Sequence, residues 1–203
     1  CRREMREGEP WVVERRHAVA KALEQPRDRA RERLVVVHVQ HALLIPQQDG
    51  AIRHRGPDQF GLFLGRRAVL GSARLSIIDL AGGQQPMGTG DGRHWIVFNG
   101  EIFNYLELRH ELERDGHQFE TESDTEVLLR LYAVEGPDCL QRLNGQFAVA
   151  IYDAVAGELF LARDRLGVRP LFFTERDGRW LFGSEVKCLL AGRMIGINLL
   201  VKV

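Results

Sequence analysis

Cysteine is scarce in this sequence. Cys1, Cys139 and Cys188 are the three cysteines among 203 residues. They are too few and too scattered for a disulfide framework, and they lack metal-ligand spacing. A reducing, cytoplasmic compartment is therefore expected. Charge of one sign is also missing: 28 Lys and Arg balance 28 Asp and Glu, so no global field points to nucleic acid or to an acidic membrane surface. The longest apolar stretches are interrupted by charge, as at Arg193 and Lys202, and no membrane span is expected. No signal-peptide core stands at the densely charged start. The Gly-rich run "AGGQQPMGTGDG" lacks the Gly-Lys-Ser/Thr ending of a phosphate loop.

What is present has three textures. Residues 1–50 form a charged segment containing "RDRARER", a helical rhythm around Val12 to Leu23 and a break at Pro26. Within it, "LVVVHVQHALLI" reads equally as a buried strand followed by a turn of helix, because short apolar runs do not distinguish the two. From about Ile52 the local signals sharpen. "QFGLFLG" and "AVLGSARLSIIDL" read as two strands joined through Gly65-Arg66-Arg67, and a third strand ends at Phe98. The Asn99-Gly100 that follows is a strong hairpin signal, yet no strand follows it in register.

A helix is expected from about Tyr105 to Arg114, with Leu106, Leu108 and Leu112 inward and Gly116 as its stop. "HQFET" reads as a short strand. Ser123-Asp124-Thr125-Glu126 fits a capping box before "VLLRLYAVEG", and "PDCLQRLN" is a short helix begun by proline. Two hairpins follow, "GQFAVAIYDAVAGELFLARD" and "RPLFFTERDGRWLFGSE", the second turning at Asp177-Gly178. "SEVKCLLAG" supplies the last helix. Antiparallel strands with helices inserted in pairs imply an α+β fold, with sheets face to face and helices outside.

"HRGPDQFG", "ARLSIIDL", "GQQPM", "VFNGEIFNY", "SDTEVLL", "RLNGQFAVAIYD", "LFLARDRLGVRPLFF" and "SEVKCLL" occur in that order between about Ile52 and Leu190. Together they resemble the type 2 (class II) glutamine amidotransferase domain of glutamine-hydrolysing asparagine synthetases. The resemblance places that domain at residues 51–191 and leaves 192–203 as a divergent tail. It implies an N-terminal-nucleophile hydrolase fold, a four-layer α-β-β-α sandwich. It also implies hydrolysis of L-glutamine to glutamate and ammonia through a cysteine thioester. A synthetase domain or subunit would then accept the ammonia. No cofactor is expected in this chain: without an "SGGxDS"-type loop, ATP and Mg²⁺ would belong to the synthetase part.

The same resemblance assigns roles residue by residue. Arg74 would hold the glutamine carboxylate, for which a guanidinium fork is suited. Asp124 would meet the α-ammonium, and the backbone around Ile77 and Glu101 would complete the pocket. Asn99 and Gly100 would form the oxyanion hole, one donor from a side-chain amide and one from a backbone without a Cβ in the way. Read without the resemblance, Asp124 is a first-turn acid complementing the helix dipole and Arg74 a solvated strand end. "GGQQPMGTGDG" would be a mobile loop near the pocket, and His54 and Arg55 structural supports.

The implied nucleophile is a cysteine at the first position, its own α-amine acting as base at a pKa of about 7.7–8.0. Cys1 meets this by position. Family members continue as an apolar strand, whereas Cys1 is followed by Arg2-Arg3-Glu4-Met5-Arg6-Glu7. Either Cys1 is the processed nucleophile on an unusual arm, or residues 1 to about 50 are not the family's N-terminus and the chain is an inactive fragment that only binds glutamine or docks to a synthetase partner. Cys139 and Cys188 read as buried helix cysteines.

Overall fold

The computed structural model describes residues 35–38, 59–74, 83–176 and 179–191. Its strands are β1 (Val35–His38), β2 (Gln59–Leu64), β3 (Val69–Arg74), β4 (Met87–Gly88), β5 (His94–Ile102), β6 (Gly145–Asp153), β7 (Glu158–Arg163), β8 (Phe172–Arg176) and β9 (Arg179–Gly183). Its helices are α1 (Tyr105–Arg114), α2 (Asp124–Glu135), a 3₁₀ segment (Gly136–Arg142) and α3 (Val186–Ala191). The larger sheet runs β1-β7-β6-β5-β4, and β2-β3 and β8-β9 are separate hairpins. Every pairing is antiparallel.

β6 explains the layering. Its apolar run is buried from Phe147 through Asp153, and a strand covered on both faces needs no polar alternation. Phe147, Val149 and Ile151 pack with Ile96, Ile102 and Phe160 against Leu108, Leu112, Val127, Leu128 and Leu131 of the helices. Ala150 and Tyr152 face the other way, with Leu159 and Leu161. They meet Ala68 and Leu70 of the first hairpin region and Phe173, Trp180 and Phe182 of the last. In β9, Trp180 and Phe182 face the large sheet. Leu181, buried at 3% exposure, must therefore face the opposite side with Cys188 and Leu189 of α3. The order of layers is α1/α2, large sheet, hairpins, α3: the α-β-β-α sandwich.

The hairpin strands and the last helix lie where the sequence places them; the Asp177-Gly178 turn, the part of "AVLGSARLSIIDL" beyond Arg74 and the helical rhythm around Val12 to Leu23 lie outside the described residues. Four expectations need correction. β5 does not end at Phe98; it continues through Asn99-Gly100 to Ile102, paired with β6 throughout. Leu106 is exposed, since it lies two residues from Leu108 and so on the opposite side of the helix. "HQFET" is not a strand, because the donors at its two ends are taken elsewhere, at His117 by the Leu112 carbonyl and at Glu120 and Thr121 by a side chain. The backbone N–H groups of Glu120 and Thr121 donate to the Glu126 carboxylate, and Arg109 reaches the Thr121 carbonyl at 2.8 Å. The Gly-rich run is not wholly loop either, for Met87–Gly88 pairs with Ile96 and Trp95.

Both helix ends near the site are well defined. α1 stops in a Schellman arrangement: His117 N–H donates to the Leu112 carbonyl and Gly116 N–H to that of Glu113. Gly116 adopts φ 91° there. At the start of α2, Ser123 Oγ accepts from Thr125 N–H at 3.2 Å. Glu126 does not complete the capping box, because its carboxylate serves the 120–121 link. No helix among the described residues is long and apolar enough to cross a membrane.

Candidate functional site

The site is built on the edge of β5 that faces away from β6. Along this strand the even-numbered N–H groups point away from β6. His94 N–H donates to Thr89 Oγ1 at 3.0 Å, Phe98 N–H to Gln85 Oε1 at 2.7 Å, and Ile102 N–H to Asp124 Oδ2 at 3.0 Å. By the two-residue period of a strand, Gly100 N–H lies on that same edge, between the last two. The register with β6 is unbroken from His94 to Ile102. Asn99 and Glu101, the odd positions, share the face of Trp95 and Val97, which pack toward the hairpin layer.

Gly100 is required by close approach. A Cβ there would overlap the Gln146 carbonyl oxygen, and its φ of 156° is one that side chains rarely adopt. The Asn-Gly pair is thus a point where two backbones nearly touch within a strand.

Asp124 opens α2 and is only 5% exposed. Burial pushes its carboxyl pKa up; the N–H groups of Ile102 and Thr125 oppose this, and the nearby charge of Glu101 adds to it. A carboxylate so placed favours a cationic guest. Next to it, Thr125 Oγ1 accepts from Gln85 Nε2 at 3.2 Å. β5 is therefore tied to the first turn of α2 at both Phe98 and Ile102.

The segment after Ile102 is equally pinned. Asn104 heads α1 without capping it. Its amide donates to the Arg142 carbonyl and accepts from Asn144 N–H, both at 2.9 Å, and Phe103 N–H donates to the Asn144 carbonyl. Behind the strand, Asp164 accepts from the N–H groups of Phe147, Val168 and Arg169. Burial opposes its ionisation, but these donors together outweigh burial and hold the carboxyl below its usual range. Arg163 adds bonds to the carbonyls of Gly167 and Arg169, so "RDRLGVRP" is a braced loop against β6.

Of the residues singled out in the sequence, Asn99, Gly100 and Glu101 are consecutive on β5 and Asp124 is bonded to that strand. Arg74 ends β3, its backbone paired with Gln59. Cys1, Ile77, His54 and Arg55, and the side chain of Arg74, lie outside the described residues. Cys139 and Cys188 are buried, at 0% and 3% exposure. Gln85 and Asp164 are functional candidates that sequence pattern does not reveal: they lie in the motifs "GQQPM" and "RDRLGVRP", but nothing in either marks which polar side chain turns inward. At Gln85 the expected loop is bonded through its side chain to both β5 and α2.

The layers and this strand edge define a class: an N-terminal-nucleophile hydrolase fold of the class II amidotransferases. Residues 34–200 match the family described as a glutamine amidotransferase domain, and the chain belongs to that family. Asparagine synthetase [glutamine-hydrolyzing] 3 of Bacillus subtilis strain 168 is 44% identical over 156 residues, 75% of this chain and 25% of the relative. Asparagine synthetase B [glutamine-hydrolyzing] of Escherichia coli K12 is 41% identical over 140 residues, 68% of this chain and 25% of that protein. The chain thus spans about a quarter of the length of these relatives. Among solved structures, glutamine phosphoribosylpyrophosphate amidotransferase from B. subtilis, complexed with ADP and GMP, is similar with a TM-score of 0.53. It is 26% identical, covering 62% of this chain and 30% of that one.

Proposed function

We propose that this chain hydrolyses the side-chain amide of L-glutamine, releasing ammonia to a synthetase domain or subunit in asparagine formation. The observation that carries the reading is the β5 edge. Gly100 N–H lies between two bonded positions on that edge, and Asp124 is fastened to the end of the same strand.

Cys1 is the nucleophile in this reading. Its α-amine takes the thiol proton, and the thiolate attacks the carboxamide carbon. The oxygen gains charge and is held by Asn99 Nδ2 and Gly100 N–H, donors that act mainly on the tetrahedral state. Collapse breaks the C–N bond, and the leaving nitrogen departs with the proton as ammonia. Water then hydrolyses the thioester to glutamate and restores the thiol. Asp124 holds the α-ammonium, which relieves a buried carboxylate that lies near Glu101. Arg74 holds the α-carboxylate, and the backbone at Ile77 and Glu101 closes the pocket. The chain's own residues suffice for this half-reaction, and ATP and Mg²⁺ belong to the ammonia-accepting part.

The test is ammonia release from L-glutamine by the folded chain with Cys1 as a free N-terminus, compared with Cys1→Ala. Turnover that Cys1→Ala abolishes supports the reading. Glutamine binding without turnover would reduce the chain to a binding module.

A further inference from the structure

Gln85 stands where three layers meet. Its backbone carbonyl lies against β2, where a Cβ on Gly61 would overlap it. Its side-chain Oε1 accepts the Phe98 N–H at 2.7 Å, and its Nε2 donates to Thr125 Oγ1 at 3.2 Å. A carboxamide suits this place because it offers one acceptor and one donor on opposite sides of a planar group. A glutamate would lack the donor, and an asparagine would be one methylene short.

The position of these bonds matters more than their number. β4 covers β5 only at Trp95 and Ile96, so among the described residues no strand of the large sheet lies beside the edge beyond. Gln85 fixes that edge at Phe98, and Asp124 fixes it at Ile102. Gly100 is midway between them, at φ 156°, and a glycine left unbraced has the widest backbone freedom of any residue. The β6 ladder holds the inner side of this stretch, and the two ties to adjacent residues of α2 constrain its outer side on either flank of Gly100.

We propose that Gln85 is a positioning residue for amide hydrolysis, holding the Gly100 edge at a fixed distance from the turn that carries Asp124. Resting on the glutaminase reading above, it makes Gln85 the link between oxyanion stabilisation and the ammonium clamp. One bound glutamine must meet both at once, and small misplacement of such groups is costly to rate.

The test uses the full chain with Gln85→Leu, Thr125→Val and the double variant. Competent sites are counted by labelling with the diazo-ketone analogue of glutamine, and kcat is expressed per labelled site. Gln85→Leu is expected to lower kcat per site on the order of 10- to 100-fold, with KM changing little because the lost interaction acts in the transition state. Thr125→Val should give a smaller loss. The double variant should be no worse than Gln85→Leu, since both cut one connection. Gly61→Ala, which displaces the Gln85 backbone without altering its side chain, should lower kcat per site in the same direction.

A merely structural role would lower the number of labelled sites and leave kcat per site at the wild-type value, and that result overturns the proposal. Additive losses in the double variant also overturn it. If the wild-type chain neither binds nor hydrolyses glutamine, the glutaminase reading fails and the proposal falls with it. An active wild type with an unaffected Gln85→Leu rejects the Gln85 role alone.

Discussion

Asp124 Oδ2 accepts the backbone N–H of Ile102 at 3.0 Å, so the first turn of α2 is bonded directly to the end of β5. This one bond sets the group that would grip the substrate's ammonium beside the strand that would hold its oxyanion. It also leaves a buried carboxylate whose pKa is raised by burial and by the charge of Glu101.

Asp124→Asn should therefore separate stability from function. Asparagine keeps an oxygen for Ile102 N–H and removes the charge. With a folded pKa above the unfolded value of about 3.9, ionised Asp124 opposes folding, increasingly as pH rises through the carboxylate range. The variant should match the wild type at low pH and gain on it towards neutrality in urea unfolding, while its glutamine affinity falls. Stability that drops at neutral pH would contradict this placement.

Asn99→Ala should cost on the order of 10²–10³ in kcat, as removal of one oxyanion donor does. Its thermal midpoint should stay near the wild type, because the side chain leaves the β5–β6 ladder intact. Gly100→Ala should differ in kind, lowering the thermal midpoint as well, since its Cβ would overlap the Gln146 carbonyl. Equal thermal midpoints for the two variants would argue against the close approach of β5 and β6.

Asp164 gives the opposite pH behaviour to Asp124. Its folded pKa is depressed by N–H donors that outweigh burial. Its stabilisation is present above the unfolded value of about 3.9 and lost as pH falls through the lower folded one. Asp164→Ala should cost about 1.5–3 kcal/mol, the range for hydrogen bonds to charged groups, and the loss should shrink in acid. A pH-independent loss would mean that packing, and not charge, is the source.

Phe160→Ala tests the core beneath the site. Phe160 is 1% exposed and packs in the helix-facing cluster, so the substitution should cost about 3–5 kcal/mol. That is a large share of the 5–15 kcal/mol typical of a domain, readable as a shifted denaturant midpoint. A cost below about 1 kcal/mol would place Phe160 outside the packed core.

The hairpins and helix ends could be read from residue pattern because their signals are local, whereas the four-layer sandwich came from the motif resemblance. β6 and β7 form one apolar hairpin, Ser123 caps α2, and Gly116 ends α1. Apart from Leu106, whose exposure follows from the helical period, the errors concern backbone groups whose partners lie outside the segment being read. "HQFET" has strand-like residues, yet Glu126 and Arg109 take its backbone groups. Asn99-Gly100 resembles a turn until β6 is known to lie against it, with Gly145 and Gly100 permitting the approach. Gln85 is an ordinary polar loop residue until Phe98 and Thr125 are placed on either side of it. Asn99, Gly100, Glu101 and Asp124 were found through motif resemblance, and only the fold shows how the strand and helix hold them together.

The most direct test is the site of covalent labelling by the diazo-ketone analogue of glutamine, read by peptide mass analysis of the folded chain. Reaction with a thiol expels N₂ and leaves a stable thioether, so the label records which sulfur reaches the bound amide. One label per chain at Cys1, prevented by excess L-glutamine and slowed by Asn99→Ala, is the expected result. No label, or a label on Cys139 or Cys188 that glutamine does not prevent, would contradict a glutaminase site on this edge of β5.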